Sequence, residues 1–146
     1  MELDSVKSLL AERAETLRSS LTRRWSDVPH RVRDPIRVTD YEFPVTPDEM
    51  FPWVAVCFVV DDGRVLLVQD SKHTSAWEPP GGKGEQGERP AETAERETRE
   101  ETGIDCEVTD LLFTETLRFD YGGPVFAPVL QAGFVARGAG GDVQAT

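Results

Sequence analysis

Lysine is scarce in this chain, and the shortage accompanies a large excess of acidic residues. Three lysines stand against thirteen arginines and 27 aspartates and glutamates, which gives a formal net charge of −11 at pH 7. This charge would repel a nucleic-acid backbone or an anionic membrane unless a basic patch compensated for it. We therefore expect neither as the main partner. An acidic, lysine-poor surface also predicts adaptation to salt, with a melting temperature that rises from low to multimolar KCl.

Cysteine is also rare, and the chain has no apolar run long enough to span a bilayer. Cys57 and Cys106 are well separated and lack metal-ligand spacing, which is most simply explained by free thiols in a reducing cytoplasm. The N-terminus carries acidic residues at once and has no continuous apolar core, so it does not resemble a signal peptide. A chain of 146 residues is long enough for one core, and we expect a soluble cytoplasmic protein.

The N-terminal third is predicted to be a helix followed by a linker. Residues 2 to about 24 place apolar side chains at helical spacings among charges, which is typical of an amphipathic helix. Residues 26–51 are rich in proline and predict an extended linker with one short strand at 36–38. We therefore divide the chain into an N-terminal helix and linker, residues 1–49, and a globular domain, residues 50–146.

The rest of the chain predicts strands around one helix. Four runs have the composition of strands, namely residues 52–60, 64–70, 106–119 and 127–138. The first two flank a turn at Asp61-Asp62-Gly63 and predict a hairpin, with the first strand buried on both faces and the second beneath the loop before the helix. The glycine-rich tail, residues 138–146, predicts a loop. A mixed sheet with helices against it follows from this order.

The segment from Gly81 to Ile104 carries the pattern that points to chemistry. Pro90 is favoured near a helix start and Gly103 after a helix end, so the residues between them predict a helix of about three turns. Three glutamates at positions i, i+3 and i+4 share one face of it: Glu97, Glu100 and Glu101. Like charges at this spacing repel one another unless a cation neutralises them, and carboxylates suit Mg²⁺ or Mn²⁺. The alternative is a solvated acidic face.

The same segment resembles the Nudix box, written Gx5Ex7REUxEExGU with U an aliphatic residue. The match runs from Gly82 through Glu88 and Arg96 to Ile104, and Thr98 at the first U is its only departure. The resemblance implies an α/β/α sandwich with a mixed sheet over residues from about 50 to 137, with the N-terminal helix as an addition. It also implies a metal-dependent hydrolase that cleaves a nucleoside diphosphate linked to another moiety. Thr98 would bring a hydroxyl where the family packs hydrocarbon.

The resemblance assigns roles to the residues of the box. Glu97, Glu100 and Glu101 would bind Mg²⁺ or Mn²⁺, with the backbone carbonyl of Gly81 as a further ligand. Arg96 and Glu88 would pair and hold the loop against the helix. Glu97 is the first candidate for the general base, although several members of the family draw that base from a loop outside the box.

Residues outside the helix are candidates for binding the substrate. The Gly81-Gly82 pair permits close approach of a phosphate. Lys72 could approach a phosphate, Trp77 could stack on a base, and Tyr121 lies near a tyrosine position of dinucleoside polyphosphate hydrolases. Ordinary loop and core roles remain open for all three.

The distance from the box to the end of the chain suggests a domain shortened at its C-terminus. The N-terminal helix would then cover a sheet face in place of a closing helix, from the same chain or from the partner in a homodimer. A shortened domain also leaves open a second class of function, a nucleotide-binding or sensor module that retains the fold without turnover. The expected ligand in either case is a small nucleotide.

Overall fold

The computed structural model describes residues 1–69 and 76–141. Two α-helices lie in this part of the chain, α1 (Leu3–Arg24) and α2 (Pro90–Thr102), with a 3₁₀ helix at Pro47–Glu49. The strands are β1 (His30–Val32), β2 (Ile36–Arg37), β3 (Val54–Asp61), β4 (Arg64–Val65), β5 (Val68–Gln69), β6 (Trp77–Glu78), β7 (Gly81–Lys83), β8 (Ile104–Asp120) and β9 (Phe126–Gly141). Neither α-helix has the length and apolarity needed to cross a bilayer.

The main sheet is mixed and follows the order β1-β8-β9-β3-β4, with β2 beside β8 and β7 beside β3. The long strands β8 and β9 pair antiparallel, whereas β3 pairs parallel with β9 from Val54–Gln131 to Val60–Arg137. Strand β7 pairs antiparallel with β3 and leads the chain toward α2. The predicted α/β class, with a mixed sheet and an additional N-terminal helix, is confirmed.

The linker after α1 contains more structure than its prolines predict. The expected short strand is present at Ile36–Arg37, but His30–Val32 forms a second strand that was not predicted. Both run parallel to β8, and His30 pairs with Thr114 in the strand register. The His30 ring also lies in hydrogen-bonding contact with the hydroxyls of Thr114 and Thr116, at 2.8 and 3.1 Å. These partners are more than 80 residues away, so no local pattern indicates the pairing.

The predicted hairpin forms only at its turn. Val60 pairs with Val65 and Asp61 with Arg64, while Asp62 and Gly63 have positive φ angles of 51° and 73°, as a two-residue hairpin turn requires. The second strand then breaks after Val65, and β5 pairs with β6 in a separate two-stranded sheet.

The prediction that the first strand of this hairpin is buried on both faces holds only in part. In β3 one face is buried as far as Val59, whereas the residues of the other face are half-buried.

The predicted loop at the C-terminal tail is partly wrong, because β9 continues to Gly141. Gly140 and Gly141 pair with Asp105 and Ile104 of β8. A β-carbon at Gly141 would lie 2.4 Å from the carbonyl oxygen of Gly103. The glycines here allow two backbones to approach closely, whereas composition alone suggests a flexible tail.

Buried side chains in the described part of the chain form two core clusters, and α1 contributes to both. Ala14 and Leu21 join the larger cluster, which lies between the sheet and α2 and includes Phe134 and Ala94. Val6 and Leu10 join the smaller cluster of Val6, Leu10, Met50, Ala127 and Val129. The N-terminal helix is therefore packed on the sheet of its own chain along most of its length.

Candidate functional site

Helix α2 is fixed at both ends by local chemistry. Pro90 stands in its first turn and Gly103 ends it in the left-handed conformation, with φ 79°, where glycine is favoured. Glu92 accepts a hydrogen bond from the backbone N–H of Arg89 at 2.9 Å, which satisfies a donor that the helix leaves free.

The departure at Thr98 is accommodated in the buried face of this helix. Thr98 is fully buried and its hydroxyl donates to the carbonyl of Ala94 at 2.7 Å. The hydroxyl is therefore satisfied within the helix, so the cost of burying it unpaired does not arise. Cys57 and Cys106 lie nearby as free thiols with their sulfurs 3.9 Å apart.

The loop before α2 lies directly against the glutamates. A β-carbon on Gly82 would be 2.5 Å from the carboxyl carbon of Glu97, and one on Gly81 would be 2.5 Å from the carbonyl oxygen of Ala55. Both distances are too short for any side chain. A side chain at Gly81 would clash with the backbone of β3, whereas one at Gly82 would displace the carboxylate of Glu97. The two glycines thus allow the backbone of β7 to lie next to the acidic face of α2.

Arg96 connects this loop with the helix through its whole guanidinium group. Nε donates to Glu88 Oε2 at 2.6 Å and Nη2 to Glu88 Oε1 at 3.1 Å, which makes a bidentate ion pair. Nη2 also donates to the carbonyl of Lys83 at 3.1 Å. Nη1 donates to Glu97 at 2.9 Å and to Glu100 at 3.1 Å. One arginine thus holds the loop and orients two of the three clustered carboxylates.

Glu88 is held in its ionised form by these contacts. The hydrogen bonds from Arg96, followed by those from Thr93 and from the backbone of Glu85, lower the pKa of Glu88 to about 2. Its side chain is only 17% exposed. The carboxylate therefore serves as a fixed negative partner for Arg96 across the whole neutral pH range.

Glu101 has the opposite environment. Burial raises the pKa of Glu101 to about 7, and the nearby carboxylates of Glu97 and Glu100 add to this rise, while a backbone hydrogen bond from Gly81 opposes it. Glu101 therefore binds its proton more tightly than an ordinary glutamate does, mainly because its side chain is buried and secondarily because two other carboxylates lie nearby.

The oxygen atoms of these glutamates and of the Gly81 carbonyl are of the kind that bind a divalent cation. Carboxylate and carbonyl oxygens are the ligands that Mg²⁺ and Mn²⁺ prefer, and a cation would relieve the repulsion around Glu101. Over residues 1–69 and 76–141, no group of three or more acidic, histidine or cysteine side chains is already gathered in a metal-binding geometry. Glu97 and Glu100 instead point toward Arg96.

The candidate substrate-binding residues that lie away from the Gly81-Gly82 pair are not seen next to the glutamates of α2. Trp77 lies in β6 and is 63% exposed. Tyr121 packs edge-to-face on Phe43 at 5.7 Å beside the smaller core cluster. Lys72 lies outside the described residues. Only Gly81 and Gly82, among the predicted substrate-binding residues, are seen beside the acidic face.

Two residues that the sequence interpretation did not single out contact the site. The hydroxyl of Thr93 donates to Glu88 at 2.8 Å, and the indole N–H of Trp53 donates to Thr93 at 3.0 Å. Thr93 stands four positions before Glu97, on the same side of α2, and this spacing is the one signal that could have indicated it. No sequence pattern could have indicated Trp53, because this residue lies just before β3 and reaches Thr93 from another part of the chain.

Comparison with known proteins gives a consistent result. The profile of the NUDIX domain matches residues 50–143. A segment of 53 residues is 53% identical to the nucleoside diphosphate-linked moiety X motif 6 protein of Xenopus laevis, covering 36% of this chain and 24% of that one. A segment of 68 residues is 38% identical to the 8-oxo-dGDP phosphatase NUDT18 of Homo sapiens, covering 41% and 21%. The matched segments span about a quarter or less of these curated relatives.

Solved structures show the same fold at low identity. A MutT NUDIX hydrolase from Burkholderia pseudomallei superposes with a TM-score of 0.50 and 22% identity, covering 77% of this chain and 74% of that one. A UDP-X diphosphatase superposes with a TM-score of 0.50 and 21% identity, covering 98% and 63%.

Proposed function

This chain belongs to the Nudix family, and we propose that it is a metal-dependent hydrolase that cleaves a phosphoanhydride bond of a nucleoside diphosphate linked to another moiety. The observation that carries the proposal is the contact between the acidic face of α2 and the Gly81-Gly82 backbone, where a side chain on Gly82 would overlap Glu97. The relatives' names support the substrate class, since one is a nucleoside diphosphate-linked moiety X protein and another an 8-oxo-dGDP phosphatase.

The metal-binding residues in this proposal are Glu97, Glu100 and Glu101, with the carbonyl of Gly81 as a further ligand. A bound Mg²⁺ or Mn²⁺ would polarise phosphoryl oxygens and neutralise the charge of the leaving group. Glu88 and Arg96 orient the glutamates, because Arg96 contacts both the loop and the helix. The glycines of β7 let the backbone lie against the carboxylate of Glu97, so a diphosphate bound through the metal would lie beside this backbone.

Hydrolysis requires a group that accepts a proton from the attacking water. The water oxygen forms a bond to phosphorus, the bridging P–O bond breaks, and the water proton passes to a carboxylate. We assign this role to Glu97, whose carboxylate lies against Gly82. The products are a nucleotide and a phosphorylated second moiety.

We further propose that the protein acts on small nucleotides in a reducing cytoplasm. Cys57 and Cys106 are both free thiols, and the net charge of −11 disfavours nucleic acid as a substrate.

The first experiment measures product release from nucleoside triphosphates, 8-oxo nucleotides, ADP-ribose, dinucleoside polyphosphates and nucleotide sugars, with and without Mg²⁺ or Mn²⁺, at low and high KCl. We expect metal-dependent turnover of one class. Binding without turnover under every condition would favour the sensor alternative, and the absence of both metal binding and nucleotide binding would contradict both proposals.

Substitution of the glutamates tests the site itself. Glu100→Gln and Glu101→Gln should each lower kcat by orders of magnitude because each removes a charged oxygen ligand, while circular dichroism stays unchanged. Glu107→Gln is the matched control, since Glu107 is an exposed acid paired only with Arg137 at 3.3 Å among the ion pairs described. Full activity in both Glu100→Gln and Glu101→Gln would remove these residues from the site.

A further inference from the structure

A line of hydrogen bonds leads from Trp53 through Thr93 to the Glu88–Arg96 ion pair. Trp53 Nε1 donates to Thr93 Oγ1 at 3.0 Å, and Thr93 Oγ1 donates to Glu88 Oε1 at 2.8 Å. Thr93 is fully buried. Neither residue belongs to the charged set of the proposed site, and the proposed chemistry assigns neither a role.

The direction of these hydrogen bonds follows from the groups involved. The indole N–H is only a donor, so the Thr93 hydroxyl must accept from it. The hydroxyl has one proton of its own, and it has two acceptors in reach, Glu88 Oε1 at 2.8 Å and the carbonyl of Arg89 at 3.4 Å. The shorter and charge-assisted contact is the stronger one. Trp53 therefore helps to direct the Thr93 proton onto Glu88.

The effect on Glu88 is to fix the rotation of its carboxylate. The terminal torsion of a glutamate is soft and has no sharp preferred angle of its own. Here Oε1 also accepts from the backbone of Glu85 at 3.0 Å, and both oxygens accept from Arg96. Thr93 adds a contact from the helix side, so the carboxylate is held from the loop and from the helix at once.

The orientation of Glu88 in turn determines where Arg96 points. A guanidinium is planar, so fixing Nε and Nη2 on one carboxylate fixes the direction of Nη1 as well. In this structure Nη1 points between Glu97 and Glu100. Rotation of Glu88 would turn the whole group and displace these two side chains.

Trp53 also holds the loop through its ring and backbone. A β-carbon on Gly84 would lie 2.4 Å from the Trp53 ring, so the ring packs directly on the backbone of that glycine. The N–H of Gly84 donates to the carbonyl of Trp53 at 2.9 Å. Trp53 therefore contacts both sides of the loop-helix junction, Gly84 in the loop and Thr93 in α2.

We propose that Thr93 and Trp53 are positioning residues, which set the orientation of Glu97 and Glu100 through Glu88 and Arg96 and so tune the affinity for the divalent cation. This inference rests on the proposed function, because it assigns a purpose to the geometry of the same glutamates. Residues that orient metal ligands from outside the ligand set commonly change metal affinity or activity by about 10- to 100-fold when replaced.

The test compares variants that remove one donor at a time in the full chain. Thr93→Val keeps the side-chain volume and removes the hydroxyl, whereas Thr93→Ser keeps the hydroxyl. Trp53→Phe removes the indole N–H. Thr98→Val is the matched control, because Thr98 is an equally buried threonine of α2 whose hydroxyl donates to the backbone carbonyl of Ala94. Free Mn²⁺ is measured by electron paramagnetic resonance, thermal melting by circular dichroism, and kcat and KM against metal concentration.

We expect Thr93→Val to weaken Mn²⁺ binding about 10-fold and to lower kcat at subsaturating metal, with KM for the nucleotide unchanged at saturating metal. Thr93→Ser and Thr98→Val should bind Mn²⁺ with wild-type affinity. The Mn²⁺ affinity of Trp53→Phe should lie between those of Thr93→Val and the wild type.

Two outcomes would overturn the proposal in distinguishable ways. If Thr93→Val and Trp53→Phe melt at lower temperature but bind Mn²⁺ like the wild type, the hydrogen bonds serve packing alone and the proposed function stands. If the wild type itself binds no Mn²⁺, the proposed metal site fails and the positioning role fails with it. Should Thr93→Val not fold, the comparison of Trp53→Phe with the wild type decides between these outcomes.

Discussion

Arg96 and Glu88 are the residues on which the order of the candidate site depends most. Their bidentate contact is mostly shielded from solvent, since the two side chains are 23% and 17% exposed. An ion pair in such a setting is worth more than an exposed one, and the loss of one partner leaves the other charge without compensation. The pair should therefore contribute to stability as well as to the position of the glutamates.

Glu88→Gln tests this contribution through its pH dependence. Because the pKa of Glu88 is lowered to about 2 in the folded protein, its ionised form stabilises the fold above its ordinary titration range. That stability is lost as the pH falls toward 2. We expect Glu88→Gln to unfold more easily by about 1–3 kcal/mol at pH 7, with the difference from wild type shrinking below about pH 4.5.

Urea denaturation of both proteins from pH 7 down to pH 3 measures this difference. Glu107→Gln serves as the control because Glu107 belongs to an exposed ion pair, which should contribute little at either pH. A stability difference for Glu88→Gln that stays constant across the range would show that the ionised carboxylate is not its source.

At the scale of the element, the site depends on how closely β7 approaches α2. The helix is set by Pro90 and Gly103, and its acidic face follows from the 3.6-residue period. The strand is set by pairing with β3, as Gly82 lies opposite Ala55. The two elements meet where Gly82 faces Glu97, and the absence of a side chain there lets the backbone lie against the carboxylate.

Gly82→Ala tests this contact. The added methyl group would lie 2.5 Å from the Glu97 carboxyl carbon, so either the carboxylate or the strand must move. We expect kcat to fall at least 10-fold, as a displacement near 1 Å can cause about a 10²-fold loss, with weaker Mn²⁺ binding. Gly123→Ala is the control, because nothing lies within 4 Å of its β-carbon position. Wild-type kcat and Mn²⁺ affinity in Gly82→Ala would argue against close approach as a requirement.

At the scale of the whole molecule, α1 unites the two core clusters. Val6 and Leu10 contact the cluster around Met50, and Leu21 contacts the cluster beneath α2. Arg13 adds hydrogen bonds to the carbonyls of the segment before β3, including one to Phe51 at 2.9 Å. The helix α1 therefore stabilises the start of β3, the strand with which β7 pairs.

The neighbouring residues Leu9 and Leu10 give a matched test of this packing. Leu10 is fully buried, whereas Leu9 is 42% exposed. Leu10→Ala should cost about 2–5 kcal/mol, because it leaves a cavity between α1 and the sheet. Leu9→Ala should cost less than about 1 kcal/mol. Urea denaturation measures both, and equal effects would mean that α1 does not pack as described.

Deletion of residues 1–24 should lower the stability more than Leu10→Ala does, since it removes every α1 contact.

The sequence by itself determined the features that depend on neighbouring residues. The bounds of α1 and α2, the shared face of the three glutamates, the turn at Asp62-Gly63 and the family resemblance all follow from capping, period and spacing. These patterns act within a few residues, so they can be read along the chain.

Only the tertiary structure decided which distant residues meet. The pairing of β1 with β8, the extension of β9 through its glycines, the break after β4 and the contacts of Trp53 with Gly84 and Thr93 join segments from different parts of the chain. For the linker and the tail, composition predicted mostly irregular structure where the folded chain has strands. Proline and glycine are common in loops, but they are also common where backbones must bend or approach closely. Pairing energy from distant strands determines which of these applies, and it becomes available only when the chain has folded.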